Sequence, residues 1–272
     1  MKKQTLVRAA FATVFVGLAV ATETLALPTR TQNFTSDPGW GSLGNTTSPH
    51  NYGFRNTSHL TGASAGEAGG TFGRSNFPNH YGDTNLTEEL NLNFRLEVTG
   101  KLTADAYNGL DGSFQIGYFD QTDGFDFLGL IVLEPSTPPS PFRLGLALVR
   151  SDQTVRVEIP GSSATITTGK DYEFAFTYDP QANSGNGALS ATVTGIDVVG
   201  SSSFTLNLLA GDRLTSTRFN AFGVRSGVAS PVAGSAEFFV DDLTYTIPEP
   251  STLGLFALAI AGLLYHRRTN QP

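Results

Sequence analysis

Leu90-Asn91-Leu92-Asn93-Phe94-Arg95-Leu96-Glu97-Val98 alternates apolar and polar side chains along its whole length. Successive side chains of a β-strand point to opposite faces, so a period of two reads as a strand with one buried face and one wet face. The same period returns at Phe142, Leu144, Leu146 and Leu148, at Val155, Val157 and Ile159, and at Tyr172, Phe174, Phe176 and Tyr178. Shorter strands are predicted at 113–119, 128–133, 189–194, 203–208, 219–224 and 236–246. Asn108-Gly109, Asp111-Gly112, Pro160-Gly161, Asp179-Pro180 and Gly211-Asp212 separate them, each a pair suited to a chain reversal. Between Thr29 and Thr246 no apolar stripe of period 3.6 is sustained. Many short strands with no helices between them predict an all-β fold, an antiparallel two-sheet β-sandwich.

That sandwich is expected to occupy residues 27–247 as one domain. Pro135-Ser136-Thr137-Pro138-Pro139-Ser140-Pro141 reads as a stiff loop between neighbouring strands, and nothing after residue 90 reads as a linker. The first part, 27–89, is rich in Asn, Gly, Ser and Thr, and is expected to be loops with an edge strand near 51–54.

Composition narrows the function. The chain has 272 residues, 30 Gly, 20 Phe, no Cys and 15% charged residues, against an average of about 25% charged, which excludes a helical bundle or coiled coil. The lack of Cys excludes a disulfide scaffold, a Cys-ligated zinc and a thiol nucleophile. A net charge of −7 argues against nucleic acid as a partner, because phosphate recognition needs a basic footprint. An aromatic content of 11% argues against global disorder.

The two ends read differently from the middle. Lys2, Lys3 and Arg8, the apolar run 9–21 and Thr24-Leu25-Ala26 form the basic, apolar and small-residue regions of a signal peptide over 1–26, which implies export by the Sec machinery. At the other end, Pro248-Glu249-Pro250 stops the folded part, since neither proline can donate to a sheet ladder. An uncharged run, 253–265, then precedes His266-Arg267-Arg268. Its helix formers and basic end predict a hydrophobic helix that associates transiently with the membrane, with the arginines on the cytoplasmic side. Residues 27–247 hold 12 Lys and Arg against 22 Asp and Glu, so the exported domain stands at −10.

This tail, 248–272, resembles the PEP-CTERM sorting signal of Gram-negative exopolysaccharide producers: Pro248-Glu249-Pro250, then Ser251-Thr252-Leu253, a Leu/Ala/Gly-rich run, and the closing Arg267-Arg268. The resemblance implies an exosortase as partner, cleavage near the motif, and delivery to the cell surface or extracellular matrix. The middle resembles the concanavalin A-like/LamG-like jelly-roll domains found in other PEP-CTERM proteins, through Gly66–Ser75, Gln115–Asp120, Tyr178-Asp179-Pro180 and the closing strand Phe238–Thr246.

No catalytic string stands out. Sandwich hydrolases carry Glu-x-Asp-x-x-Glu or a close variant on one strand; here Glu237 and Asp241 come nearest, four apart and on one face. His50, His59 and His80 match no compact ligand spacing and read as surface histidines, and no Gly-x-Ser-x-Gly elbow is present. Calcium is the metal that fits best, as a structural ion. Asp120, Asp123 and Asp126 surround a glycine turn, and hard oxygen ligands suit Ca²⁺. In sandwich carbohydrate-binding modules a closing-strand Asp often joins a structural calcium, a position that Asp241 or Asp242 occupies here by resemblance. The competing reading is that acidic loop tips keep an exported domain soluble. Trp40, Tyr52, Phe54, Tyr81 and Tyr107 lie in irregular segments and are candidates to stack on sugars, Trp40, Tyr52 and Tyr81 foremost; Glu67 and Arg74, in the Gly-rich 66–75 stretch, read as a local ion pair or as ligand contacts. The expectation is a non-catalytic surface or matrix protein that contacts exopolysaccharide. The alternatives are a glycan-degrading enzyme of the same fold and a purely structural matrix protein.

Overall fold

Alternation becomes strand through most of the middle of the chain. The structure, a computed structural model, describes residues 27–62, 65–73, 75–86, 89–109, 113–122, 125–133, 141–152, 154–160, 164–227 and 234–248; the expected signal peptide and the apolar run 253–265 lie outside them. The strands are β1 (Thr29–Gln32), β2 (Gly41–Leu43), β3 (Asn51–Arg55), β4 (Glu67–Phe72), β5 (His80–Asp83), β6 (Leu90–Asn91), β7 (Leu96–Asn108), β8 (Ser113–Phe119) and β9 (Phe127–Leu133). They continue as β10 (Phe142–Val149), β11 (Val155–Glu158), β12 (Thr165–Ile166), β13 (Asp171–Asp179), β14 (Ala188–Gly195), β15 (Ser201–Asn207), β16 (Arg218–Phe219), β17 (Ala221–Ser226) and β18 (Ser235–Thr246).

Two large antiparallel sheets face each other as a jelly-roll sandwich. Sheet A has the order β15-β14-β13-β7-β18-β4-β3, with β1 beside the end of β18; sheet B has the order β11-β10-β9-β8-β17-β5-β2, with β12 beside β10. Between them, Val98, Leu102, Phe174, Phe176, Phe238 and Val240 of sheet A meet Phe114, Ile116, Leu144, Leu146, Phe222 and Val224 of sheet B in one apolar cluster. Phe114 stacks on Phe238 at 4.7 Å and Phe222 on Tyr245 at 4.0 Å. Each such fully buried side chain contributes about 1.5–3 kcal/mol.

Three expectations change. Phe94 is 37% exposed, because the chain turns at 91–95: the Phe94 amide donates to the Asn91 carbonyl and the Asn93 amide to the Asn91 side chain, and the strand resumes only at Leu96. Val155 and Val157 are 51% and 41% exposed, since β11 is the edge of sheet B and carries them on its outer face. The segment 27–89 is loop-rich but carries more strand than expected: β3 is the expected edge strand, and β1 and β4 also join sheet A while β2 and β5 join sheet B.

The middle strands of sheet B are buried on both faces, which a simple alternation does not predict. Gly82, Gly223, Gly117 and Gly129 lie side by side across β5, β17, β8 and β9. A Cβ on Gly117 would fall 2.2 Å from the Leu128 carbonyl oxygen, so only glycine allows these backbones to approach so closely. Phe119, Phe127, Ile131, Ala147 and Ala221 form a second apolar cluster on this outer face.

Candidate functional site

The foremost of the aromatics expected to stack on sugars are in the core. Trp40 packs its ring against Phe34, Tyr81 and Tyr245, and Tyr52 stacks on Phe72 at 3.9 Å. All three of Trp40, Tyr52 and Tyr81 are buried. Their irregular sequence context hid the fact that β2, β3 and β5 carry or flank them, so the expectation of exposed stacking rings is corrected.

Among the described residues the most exposed aromatic ring is that of Phe77, at 71%. It stands on the rim of a cleft of about 410 Å³ lined by Gly44, Thr47, Ser48, Pro49, His50, Ser75, Asn76, Phe77 and Asn79. Two short turns build this cleft. One runs from Gly44 to His50, held by the Thr47 amide on the Gly44 carbonyl and the His50 amide on the Thr47 carbonyl, at 3.1 and 2.9 Å. The other runs from Ser75 to Asn79: the Phe77 amide donates to the Ser75 hydroxyl, and the Asn79 amide to the Ser226 hydroxyl, both at 3.2 Å. Glycines let the two meet, since a Cβ on Gly44 would lie 2.1 Å from Asn79 Oδ1 and one on Gly73 would lie 2.3 Å from Pro49 Cγ.

His50 supplies the chemistry of the cleft. It is buried, not a surface histidine, and burial lowers its pKa, which keeps the ring neutral. Its Nδ1 accepts the Gly73 amide at 3.2 Å, so the ring proton sits on Nε2. That Nε2–H is buried with no hydrogen-bond partner. An unmet buried donor costs about 1–3 kcal/mol, a cost that a ligand oxygen would remove. Among the described residues no lining side chain is charged. The sequence signal for this site was Phe77 itself, a large apolar residue set among Ser75, Asn76, Pro78 and Asn79.

A second, charged cleft of about 340 Å³ lies on the outer face of sheet A, where Thr99, Lys101, Glu173, Ala175, Thr192, Thr194 and Asp242 line it. Lys101 Nζ bonds Asp242 at 2.7 Å. Beside it, hydroxyl pairs Ser190–Thr205, Thr192–Ser203 and Thr194–Ser201 bridge β14 and β15 at 3.0–3.1 Å. A bulge between Asp241 and Thr244 puts both Asp241 and Asp242 toward this face. Asp242 adopts φ +50 there. Asp241 is 1% exposed, and burial first, then Asp242 and Glu67, push its pKa up to about 6.

Glu67 is fully buried beside Asp241, where it accepts from the Thr57 hydroxyl and the His59 amide at 2.7 and 3.0 Å, and pairs with the His59 ring. The His59 ring in turn stacks on Phe239 at 3.7 Å. Glu237 accepts from the Thr71 hydroxyl at 3.0 Å. Glu237 and Asp241 thus belong to hydrogen-bonded networks on either side of the covered Phe239.

The aspartates expected to hold calcium sit in two places. Asp126 is buried and accepts the Ser151 and Arg218 amides at 2.7 and 3.0 Å, while Asp120 accepts the Thr122 amide and the Asn220 side chain. Asp241 and Asp242 lie on the other sheet. Among the described residues no group of three or more His, Cys, Asp or Glu is placed to hold a metal ion. Asp123 and Arg74 lie outside the described residues.

A third constellation, on the outer face of sheet B, was not foreseen. His80, Arg225 and Gln115 stand in one row across β5, β17 and β8. Arg225 Nε donates to Gln115 Oε1 at 2.6 Å, and the guanidinium lies 4.5 Å from the Phe127 ring centre. All three are buried, which makes this row a structural tie in the described residues.

Of the sorting residues, Pro248 is described and buried; Glu249, Pro250, Arg267 and Arg268 lie outside. Residues 246–268 match the PEP-CTERM protein-sorting motif. The motif marks an exported protein, sorted to the cell surface in Gram-negative bacteria, and implies processing by an exosortase. No curated protein matches the chain. Among solved structures the chain is similar to a protein of unknown function from Shewanella oneidensis MR-1, at 15% identity, over 89% of this chain and 96% of that one, with a TM-score of 0.52. It is also similar to an endo-β-1,4-glucuronan lyase from the fungus Trichoderma reesei (9% identity, 79% and 94% covered, TM-score 0.47). A third is lectin I from Ulex europaeus in complex with the methyl glycoside of α-L-fucose (11% identity, 80% and 98% covered, TM-score 0.41).

Proposed function

We propose that this exported, exosortase-sorted chain is a non-catalytic surface or matrix protein whose sandwich associates with extracellular polysaccharide through the Phe77 cleft. The observation that carries the reading is the strongly exposed Phe77 ring in one cleft with a buried, unpaired His50 Nε2–H, with Asn76, Asn79, Ser75 and Thr47 around them. Sugars present apolar C–H faces and hydroxyl edges; the ring meets the first, and amides and hydroxyls meet the second. With no charge among the described residues of the cleft and −10 on the domain, neutral sugar units suit it better than polyanions.

Retention of the exported protein on immobilised exopolysaccharide tests this. Phe77→Ala is expected to weaken retention about tenfold, the equivalent of roughly 1.4 kcal/mol, with thermal stability unchanged because the ring is mostly solvated. Equal retention of both proteins would refute the site, and no retention of either would refute the binding. The catalytic alternative needs an acid pair open to substrate, whereas Glu237 and Asp241 are both engaged in the fold. Release of reducing ends, abolished by Asp241→Asn, would restore it.

A further inference from the structure

The sorting motif begins inside the folded domain. The last four residues of β18 pair with β1: Leu243 with Gln32, Thr244 with Thr31, Tyr245 with Arg30 and Thr246 with Thr29. The ladder continues one residue further, since the Ile247 amide donates to the Pro28 carbonyl at 2.8 Å. Pro248, the first residue of the Pro248-Glu249-Pro250 signature, is buried. β1 is itself tied down. The Thr31 and Thr244 hydroxyls bond at 3.0 Å, and Arg30 pairs with the buried Asp83, which also accepts the Tyr245 hydroxyl at 2.7 Å. No spacer separates the domain from the motif.

We propose that β1 acts as a clamp on the sorting motif, which confines exosortase cleavage to the C-terminal side of Pro248. A processing enzyme must take its substrate as an unpaired extended chain, and residues 243–247 cannot be offered in that form while β1 holds them. Among the described residues the ladder ends at Ile247. In the cleavage step one peptide bond breaks: water adds to the carbonyl carbon, and a proton goes to the leaving amine. Arg30 and Thr31 are positioning residues for this step, since they act through β18 and not on the bond.

The alternation of the pairing gives the test. Because Ile247 bonds Pro28, the Arg30–Tyr245 pair is hydrogen-bonded and the Thr31–Thr244 pair is not. Arg30→Pro removes a ladder donor and opens the clamp, while Thr31→Cys with Thr244→Cys locks it by a disulfide in the oxidising exported compartment. The readout is the intact mass of the processed, full-length-expressed protein. Wild type and the locked double variant are expected to end at or beyond Pro248 and to be processed at the same rate. Arg30→Pro is expected to yield chains that end upstream of Pro248, about a hundredfold more than wild type. A wild-type product that ends before Pro248, or a locked variant that accumulates as precursor, would overturn the clamp. So would an Arg30→Pro product identical to wild type. The locked variant keeps the test decisive if Arg30→Pro does not fold.

Discussion

Two buried groups, one on each sheet, pull stability in opposite directions as pH changes. His80 is 5% exposed, and its pKa is pushed down from 6.5 to about 4, first by burial and then by Arg225. The unfolded chain accepts a proton that the native state refuses, so this contribution is intact above pH 6.5 and is lost as pH falls toward 4. The loss is about 3 kcal/mol over that window, at roughly 1.4 kcal/mol per pH unit. Asp241 runs the other way, from 3.8 up to about 6, with burial the main cause and Asp242 and Glu67 adding to it against the Asp242 amide and Lys101. Its folded pKa lies above the unfolded one, so its contribution is present at low pH and lost as pH rises through 6, again about 3 kcal/mol. In wild type the two nearly offset between pH 4 and 6. Asp241→Asn keeps an acceptor for the Asp242 amide, which bonds Asp241 Oδ1 at 2.7 Å, but cannot titrate. Urea unfolding at pH 7.5 and pH 4 is the assay. Relative to wild type, Asp241→Asn is expected to be about 3 kcal/mol better off at pH 7.5 than at pH 4, with an unchanged denaturant slope. Its own stability falls more steeply on acidification. His80→Gln should flatten the acid loss. A difference between wild type and Asp241→Asn that is constant with pH would refute the reasoning.

Trp40→Ala should cost about 3–5 kcal/mol by urea unfolding, as the removal of a core ring does; wild-type stability with weakened sugar binding would return Trp40 to a ligand role. Gly117→Ala puts a methyl 2.2 Å from the Leu128 carbonyl and should force β8 and β9 apart, lowering the urea midpoint sharply; an unchanged midpoint would show that the close approach is not required. Asp126→Ala removes the buried carboxylate that accepts the Ser151 and Arg218 amides and should cost about 1–3 kcal/mol, while EDTA should leave the melting temperature unchanged; a drop with EDTA would assign these carboxylates to a metal, because an ion that binds only the native state stabilises it. Replacing Pro248-Glu249-Pro250 by alanines should leave a membrane-associated precursor on fractionation, and normal processing would contradict the sorting role.

How much of this was legible in the sequence differs from element to element. The core faces of β10 and β13 follow from alternation, because a strand buried on one side must repeat every second residue. β9 was legible as a strand from its apolar run, but not its burial on both faces, since Phe127, Gly129 and Ile131 meet neighbours from β8, β10 and β17 that are distant in sequence. Phe94 broke the alternation because a side chain of Asn91 competed for the backbone and made a turn. Trp40 and Tyr81 went inward because β5 pairs with β17 in sheet B and β2 closes the edge beside it, and nothing local in an Asn- and Gly-rich segment marks that pairing.

By itself the sequence determined the all-β class, the export context and the sorting tail. Each rests on short-range information: a period of two, a charge beside an apolar run, a proline that cannot donate. The tertiary structure alone decided that Phe77 faces solvent while Trp40 does not, that Glu67 lies beside Asp241 while Asp126 serves backbone amides, and that β1 pairs with the residues at the start of the sorting motif. Those facts depend on pairs such as Thr29 with Thr246 and Glu67 with Asp241. Their free energy comes from register and burial between strands that the linear order keeps far apart.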